Sequence, residues 1–195
     1  MSKKVIACDV DEVFFPFLEN FLNSYNDENG TDITPEAFNE YHFHGPLGLT
    51  VSETVDKVYD YLRKDLSHIQ PLYGVENAIE RLSAKYDLEI VTARHPEFEV
   101  QTWRWLQEKL PDKFRAIKLI GYAPMQEKPI KKADVCVEIG AFALIDDSVN
   151  HIAECAEIGI EGILFGDYPW NQVEQLPKNV TRCINWQEVA EHFNV

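Results

Sequence analysis

The chain is poor in positive charge: 18 lysines and arginines stand against 33 aspartates and glutamates, a formal net charge of −15. Nucleic-acid binding relies on a basic surface that displaces counterions. A surface this acidic on average excludes nucleic acid and anionic membranes as expected partners. A small phosphorylated ligand stays compatible, because a metal ion and a few basic residues make a site locally positive. The sequence also lacks any run of about 18 apolar residues, the minimum for a membrane-spanning helix. After Met1-Ser2-Lys3-Lys4 comes only the short stretch Val5 to Val10, interrupted by Asp9, which reads as a strand and not as a signal peptide. The four cysteines, Cys8, Cys136, Cys155 and Cys183, include no Cys-x-x-Cys pair. Zinc ribbons and thioredoxin-like redox motifs are therefore unsupported. Scattered thiols suit a reducing, cytoplasmic setting, and the simplest role for each is a small buried hydrophobe.

What is present is an ordinary globular balance, 45% hydrophobic and 26% charged residues, which excludes a disordered or low-complexity chain. A length of 195 residues fits one domain, or one domain carrying an insertion, with a core that needs no disulfide.

Val5-Ile6-Ala7-Cys8 reads as a buried strand ending at Asp9. From Phe14 to Tyr25 the apolar residues Phe14, Phe17, Leu18, Phe21, Leu22 and Tyr25 recur at helical spacing. The polar stretch Asn26 to Thr31 is a turn, and Gly45-Pro46-Leu47-Gly48 breaks the chain again. A second helical stretch opens at Ser52 and Glu53. After Pro71 the style changes: helix Val75 to Lys85, strand Leu88 to Val91, helix Pro96 to Leu110, strand Ala116 to Ile120, helix Pro129 to Ile139, strand Ala141 to Ile145, helix Val149 to Ile158, strand Gly162 to Gly166 and a final helix Gln187 to Phe193. Such alternation predicts an α/β fold, a doubly wound, Rossmann-like parallel sheet with helices on both faces. Residues 1–13 and 71–195 form its core, and residues 14–70 are expected to be a small helical cap inserted after the first strand.

Ligands of such sheets bind beyond the carboxyl ends of the strands. There the sequence places Asp9-Val10-Asp11, Thr92-Ala93-Arg94 and Asp146-Asp147-Ser148, with Lys128, Lys131 and Lys132 near the start of a helix. These three motifs, in this order, resemble the haloacid dehalogenase superfamily, most of whose members are phosphatases. The strand Val-Ile-Ala-Cys followed by Asp-Val-Asp-Glu-Val is similar to its first motif, Ile90-Val91-Thr92 to its second and Leu144-Ile145-Asp146-Asp147-Ser148 to its acidic fourth. The helical insertion, and Pro71-Leu72-Tyr73-Gly74 leading into a helix, resemble the small 5′-nucleotidases of the 5′(3′)-deoxyribonucleotidase-like group. Glu12 departs from that group, which usually has glycine there.

The resemblance implies a Mg²⁺-dependent phosphomonoesterase. Asp9, Asp11 (through its backbone carbonyl) and Asp146 would hold the metal, and oxygen-only ligands suit that hard ion. Asp9 would attack phosphorus to form an aspartyl-phosphate. Asp11 would protonate the leaving alcohol and later deprotonate water. Thr92 would donate to the phosphoryl oxygens, Ala93 and Arg94 belong to the phosphate-binding set, and Asp147 would hold metal-bound water or the lysine. Lys132 precedes Ala133-Asp134-Val135-Cys136, and Lys128 precedes Pro129; either can supply the cation that meets phosphate. The expected substrate is a small phosphorylated metabolite, first a nucleoside 5′-monophosphate. A sugar-phosphate phosphatase, a phosphotransferase or a non-catalytic binding protein on the same scaffold stays open, as does a homodimer.

Several residues have simpler readings. His42 and His44 flank Phe43 but lack a third residue spaced to complete a metal site. Phe14, Phe15, Phe17 and Tyr41 suit stacking on a base, or a packed cap core. Tyr168-Pro169-Trp170-Asn171 either rims the site or forms a packed aromatic turn. Thr92 competes with His95 for the cap of the helix that follows.

Overall fold

The computed structural model describes residues 2–39 and 43–195. Its strands are β1 (Val5–Cys8), β2 (Asp87–Thr92), β3 (Phe114–Leu119), β4 (Ala141–Asp146), β5 (Glu161–Phe165) and β6 (Val180–Cys183). They form one sheet in the order β3-β2-β1-β4-β5-β6, and every neighbouring pair is parallel. The order reverses direction between β1 and β4, the point at which doubly wound sheets bind ligands. The helices are α1 (Phe17–Asn29), α2 (His44–Leu47), α3 (Val51–Leu62), α4 (Val75–Lys85), α5 (Glu99–Lys109), α6 (Lys132–Glu138), α7 (Val149–Glu157) and α8 (Trp186–His192).

Alternation along the strands decides how the sheet is covered. Ile6, Cys8, Leu88, Ile90, Ala143 and Ile145 face the larger core, with Ala78, Ile79 and Leu82 of α4 and Val189 and Ala190 of α8. Ala7, Val91, Leu144 and Leu164 face the other side, packed on Ala133 and Cys136 of α6 and Ile152 and Cys155 of α7. With both faces covered, the central strands read as continuous apolar runs instead of alternating ones. All four cysteines are free and buried in these two layers.

Between β1 and α4 the described residues contain helical turns and no strand apart from an isolated bridge between Asp11 and Phe15. The first helix begins at Phe17, not at Phe14 as the periodicity suggested. Pro16 stands at its N-cap, where the missing N–H costs nothing. Upstream, Phe14 and Phe15 belong to a tight loop in which both backbone N–H groups donate to the Val10 carbonyl, each at 2.9 Å. Phe14 stacks on Trp186 and meets Phe114 edge-on, so it is core and not a base platform. α3 starts one residue earlier than expected, because Thr50 and Glu53 form a reciprocal capping box. α6 opens at Lys132, so Lys128-Pro129 lies outside the helix it was expected to begin. The sequence reading also missed β6: it has four residues, of which Thr181 and Arg182 are polar, and it pairs on one side only, with β5.

The chain leaves the sheet through residues 9–16 and returns through residues 69–74. The two crossings are tied by a hydrogen bond from the Leu72 N–H to the Phe14 carbonyl, 2.9 Å. Two indoles fasten them to the main body: Trp186 donates to the Val13 carbonyl at 2.8 Å, and Trp105 to the Ile69 carbonyl at 3.1 Å.

Gly162 of β5 tests this packing. A Cβ there would lie 2.6 Å from Ile152 Cγ2 and 3.1 Å from Val180 Cγ2. Gly162→Ala is expected to destabilise the protein by about 1–3 kcal/mol, as overpacked cores do. That corresponds to a fall of roughly 2–4 °C in Tm per kcal/mol for a chain of this size. Thermal unfolding followed by circular dichroism measures it; an unchanged Tm would show that α7 shifts away freely.

Candidate active site

Parallel pairing sets the tips of three strands side by side. Cys8 of β1 pairs with Ile90 of β2 and Ile145 of β4. The residue after β1, Asp9, continues the ladder by donating its N–H to the Ile145 carbonyl at 2.9 Å. Asp9 and Asp146 therefore emerge beside one another, with Thr92 on the opposite flank of Asp9.

Lys132 enters this edge from the first turn of α6. Its ammonium lies 2.7 Å from Asp9 Oδ2 and 2.6 Å from Asp146 Oδ2 and is fully buried. Asp9 Oδ1 accepts from the Val10 N–H at 2.8 Å. Asp146 Oδ1 accepts from the Ser148 N–H at 2.8 Å and lies 3.3 Å from His151 Nδ1. Asp147 completes a cluster: one oxygen from each of Asp9, Asp146 and Asp147 lies within 4.8 Å of the others. Asp147 Oδ2 accepts from the Trp170 indole N–H at 2.7 Å.

The electrostatics follow from burial. Dehydration raises the pKa of Asp9, Lys132 pulls it back, and Asp146 and Asp11 push it up again. Asp147 rises well above the usual carboxylate range, through burial first and then the charges of Asp146, Asp9 and Glu12. Burial works against the ionised Asp146 too, but Lys132 and then His151 hold its pKa low. Lys132 is likewise opposed by burial and kept charged by Asp146 and Asp9. A bound cation would favour the ionised forms of all three carboxylates, which burial and mutual repulsion otherwise oppose. That donor set, all oxygen and compact, fits a hard divalent cation.

Asp11 points elsewhere. Its carboxylate is held in a fork by Arg94, with Nε 3.0 Å from Oδ2 and Nη2 2.6 Å from Oδ1. Arg94 is itself buried, donates to Thr102 Oγ1 at 3.0 Å, and lies 4.9 Å over the Phe15 ring. The two-point fork restricts the Asp11 carboxylate more tightly than one hydrogen bond could. A cavity of about 140 Å³ opens at Asp11, Glu12, Arg94, Ala93 and Asp147 and is walled by Phe17, Phe43, Thr54, Val55, Val58, Tyr59, Leu62, His95, Tyr122 and Trp170.

Glu12 has a left-handed backbone, φ 59°, an uncommon conformation for a side chain of its type. Its buried carboxylate turns from the strand tips toward α1 and accepts from the Leu18 N–H at 2.5 Å. Its carbonyl accepts from the Tyr168 hydroxyl at 2.7 Å. Burial pushes its pKa up to about 8, partly offset by the helix N–H groups.

The structure thus brings Asp9, Asp146, Asp147 and Lys132 into contact and sets Asp11, Ala93 and Arg94 on the wall of the adjoining cavity. Thr92 is buried, and its hydroxyl accepts from the Arg94 N–H at 3.3 Å; His95 caps the following helical turn. Lys128 is exposed and stands in the loop before α6. Tyr41 and His42 lie outside the described residues. Sequence reasoning left Trp170 undecided and passed over His151 and Thr102. The sole sign of His151 was its place in the first turn of the helix after the Asp146-Asp147 motif.

The raised pKa of Glu12 has a pH signature. Its ordinary value is 4.5 and its folded value about 8. The folded state therefore favours the neutral acid, and this stabilisation is lost as pH climbs from about 4.5 to about 8. Glu12→Gln keeps an oxygen for the Leu18 N–H and cannot ionise. Its Tm relative to the parent is expected to improve between pH 5 and pH 8.5 in chelator-treated protein. A difference that is the same at both pH values would contradict the burial effect.

Comparison with known proteins identifies relatives of the fold and of the chain. A nucleotidase of Clostridium acetobutylicum is 24% identical over 161 residues, covering 82% of this chain and 78% of its own. A haloacid dehalogenase-like hydrolase of Streptococcus pneumoniae superposes with a TM-score of 0.70 at 18% identity, with 98% of each chain covered. A haloacid dehalogenase hydrolase of Bacillus subtilis, whose crystal structure is bound to magnesium, superposes with a TM-score of 0.64 at 16% identity over both whole chains. The 5′-nucleotidase family described as deoxy (pyrimidine), cytosolic type C matches residues 3–194, and the chain belongs to that family of hydrolases.

Proposed function

We propose that the protein is a cytosolic, Mg²⁺-dependent phosphomonoesterase acting on nucleoside 5′-monophosphates through an aspartyl-phosphate. The observation that carries this reading is the pairing of Asp9 with Lys132 at the tip of the central strand, beside a cavity that contains a second carboxylate, Asp11.

Asp9 is the nucleophile. Its carboxylate oxygen attacks phosphorus in line, and the bond to the ester oxygen breaks. Asp11 gives its proton to that leaving oxygen and then takes a proton from the water that attacks the aspartyl-phosphate. Inorganic phosphate leaves and Asp9 is restored. The Arg94 fork orients Asp11; to carry the proton, one Asp11 oxygen leaves the fork while the other stays on Arg94. Lys132 fixes Asp9 and offsets the charge of the incoming phosphate, and the Thr92 hydroxyl with the Ala93 backbone N–H donates to the phosphoryl oxygens. Asp9, Asp146 and Asp147, with the Asp11 carbonyl, would hold Mg²⁺, which supplies positive charge against the phosphoryl oxygens when bound. Lys128, exposed and outside α6, has no part in this scheme.

The cavity supports a nucleoside leaving group. Its walls are mainly aromatic and aliphatic, as a flat base requires and a bare polyol does not. Thr54, whose buried hydroxyl has no hydrogen-bond partner among the described residues, stands on the same wall. The helices of residues 14–70 act as the cap that encloses this group.

Phosphate release from a panel of nucleoside monophosphates and sugar phosphates, with and without Mg²⁺, tests the reading. Turnover is expected on nucleoside 5′-monophosphates, to need the metal, and to fall by about a thousandfold or more in Asp9→Asn, since catalytic groups act as a unit. Preference for sugar phosphates would reassign the cavity. Turnover that survives Asp9→Asn would sink the aspartyl-phosphate mechanism, and no turnover on any compound would sink the enzymatic reading.

A further inference from the structure

The segment after β5 is built with unusual rigidity for a surface loop. Gly166 has φ 83°, and a Cβ there would lie 2.1 Å from the Tyr168 ring. The fully buried Asn171 donates to the Phe165 carbonyl at 2.9 Å and accepts from the Tyr168 N–H at 3.2 Å. Arg182 of β6 clamps both ends, donating to the Gly166 carbonyl at 2.8 Å, to Asn171 Oδ1 at 2.9 Å and to the Asn171 carbonyl at 2.6 Å. The product of this bracing is a pair of parallel rings: Tyr168 and Trp170 stack with centroids 4.7 Å apart and planes 2° apart. Each ring ends in a hydrogen bond to a different part of the reaction centre. The Tyr168 hydroxyl reaches the Glu12 carbonyl at 2.7 Å, and the Trp170 N–H reaches Asp147 Oδ2 at 2.7 Å.

We propose that Trp170 is a positioning residue for the acidic cluster: its indole N–H fixes the Asp147 carboxylate in the orientation that receives a divalent cation with Asp9 and Asp146. Asp147 is buried and repelled by its neighbours. Without a donor on one oxygen, such a carboxylate is free to turn away from Asp9 and Asp146. The indole occupies Oδ2 with a neutral donor, so it orients the group without competing for the cation's charge. The same ring lines the cavity, so one side chain touches both the leaving-group space and the metal-binding carboxylates. The inference rests on the metal reading above and extends it to a residue outside the carboxylate motifs.

Binding of Mg²⁺ to the whole protein, measured by titration calorimetry without substrate, tests it directly. Trp170→Phe keeps the ring stack and deletes the N–H. Its Mg²⁺ dissociation constant is expected to rise roughly 10- to 100-fold, as when the outer partner of a metal ligand is lost. Gln172→Ala removes two hydrogen bonds within the same loop, to Asp167 and to the Tyr168 carbonyl, touches none of the proposed ligands, and is expected to bind within about twofold of the parent. Equal affinity in Trp170→Phe and parent overturns the proposal. Equal weakening in both variants also overturns it, because a general disturbance of the loop would then explain the loss. A parent protein that binds no Mg²⁺ removes the metal reading itself, and this inference with it.

Discussion

One buried ammonium shared between two buried carboxylates governs this molecule. Removing a single partner from such an arrangement typically costs about 3–5 kcal/mol, because the charge left behind has no water to solvate it. Lys132 therefore has to arrive at one place, between Asp9 and Asp146. The doubly wound order supplies that place by setting β1 and β4 side by side, and α6 supplies the lysine from its first turn. Ala133 and Cys136 pack the same short helix on the sheet. The apolar layer is thus what holds a charged residue at a fixed depth.

Around that pair the groups are arranged in two tiers. Close to it, three carboxylates converge, two of them, Asp9 and Asp146, with a backbone N–H on their remaining oxygen. Farther out, long side chains with a polar tip reach in from other elements: Arg94 to Asp11, Trp170 to Asp147, Tyr168 to the Glu12 carbonyl. Each anchor is itself fixed by packing: Arg94 lies over Phe15 and bonds Thr102, and the two rings stack on one another. The chemistry at the strand tips depends on these side chains being unable to move.

Much of this was legible in the sequence. Parallel strands buried on both faces appear as plain apolar runs, and the acidic, hydroxyl and lysine residues stand directly after them. Asp9, Thr92 and Asp146 could be placed at the strand tips from that pattern, because each apolar run ends at one of these polar residues, although all three are buried in the structure. The choice between Lys128 and Lys132 was not legible: it depends on where α6 begins, and Pro129 gave a misleading helix signal. Nor could Trp170 be resolved, since the turn from Gly166 to Asn171 takes its shape from Arg182 on the unforeseen strand β6. The direction of the Glu12 side chain was also hidden. A left-handed residue next to Asp11 sends its carboxylate to the first turn of α1, while the residue still borders the cavity.

The paired crossings between sheet and helical segment also fix where the cavity lies. Leu72 and Phe14 are hydrogen-bonded to each other only three residues after Asp11, so both connections leave the sheet beside the strand tips. Phe17 of α1 and Leu62 of α3, which wall the cavity, belong to the same apolar cluster as Ile6 and Cys8 of β1. The shape of the ligand space and the footing of the nucleophile's strand are thus set by one shared core, and repacking that core would alter both together.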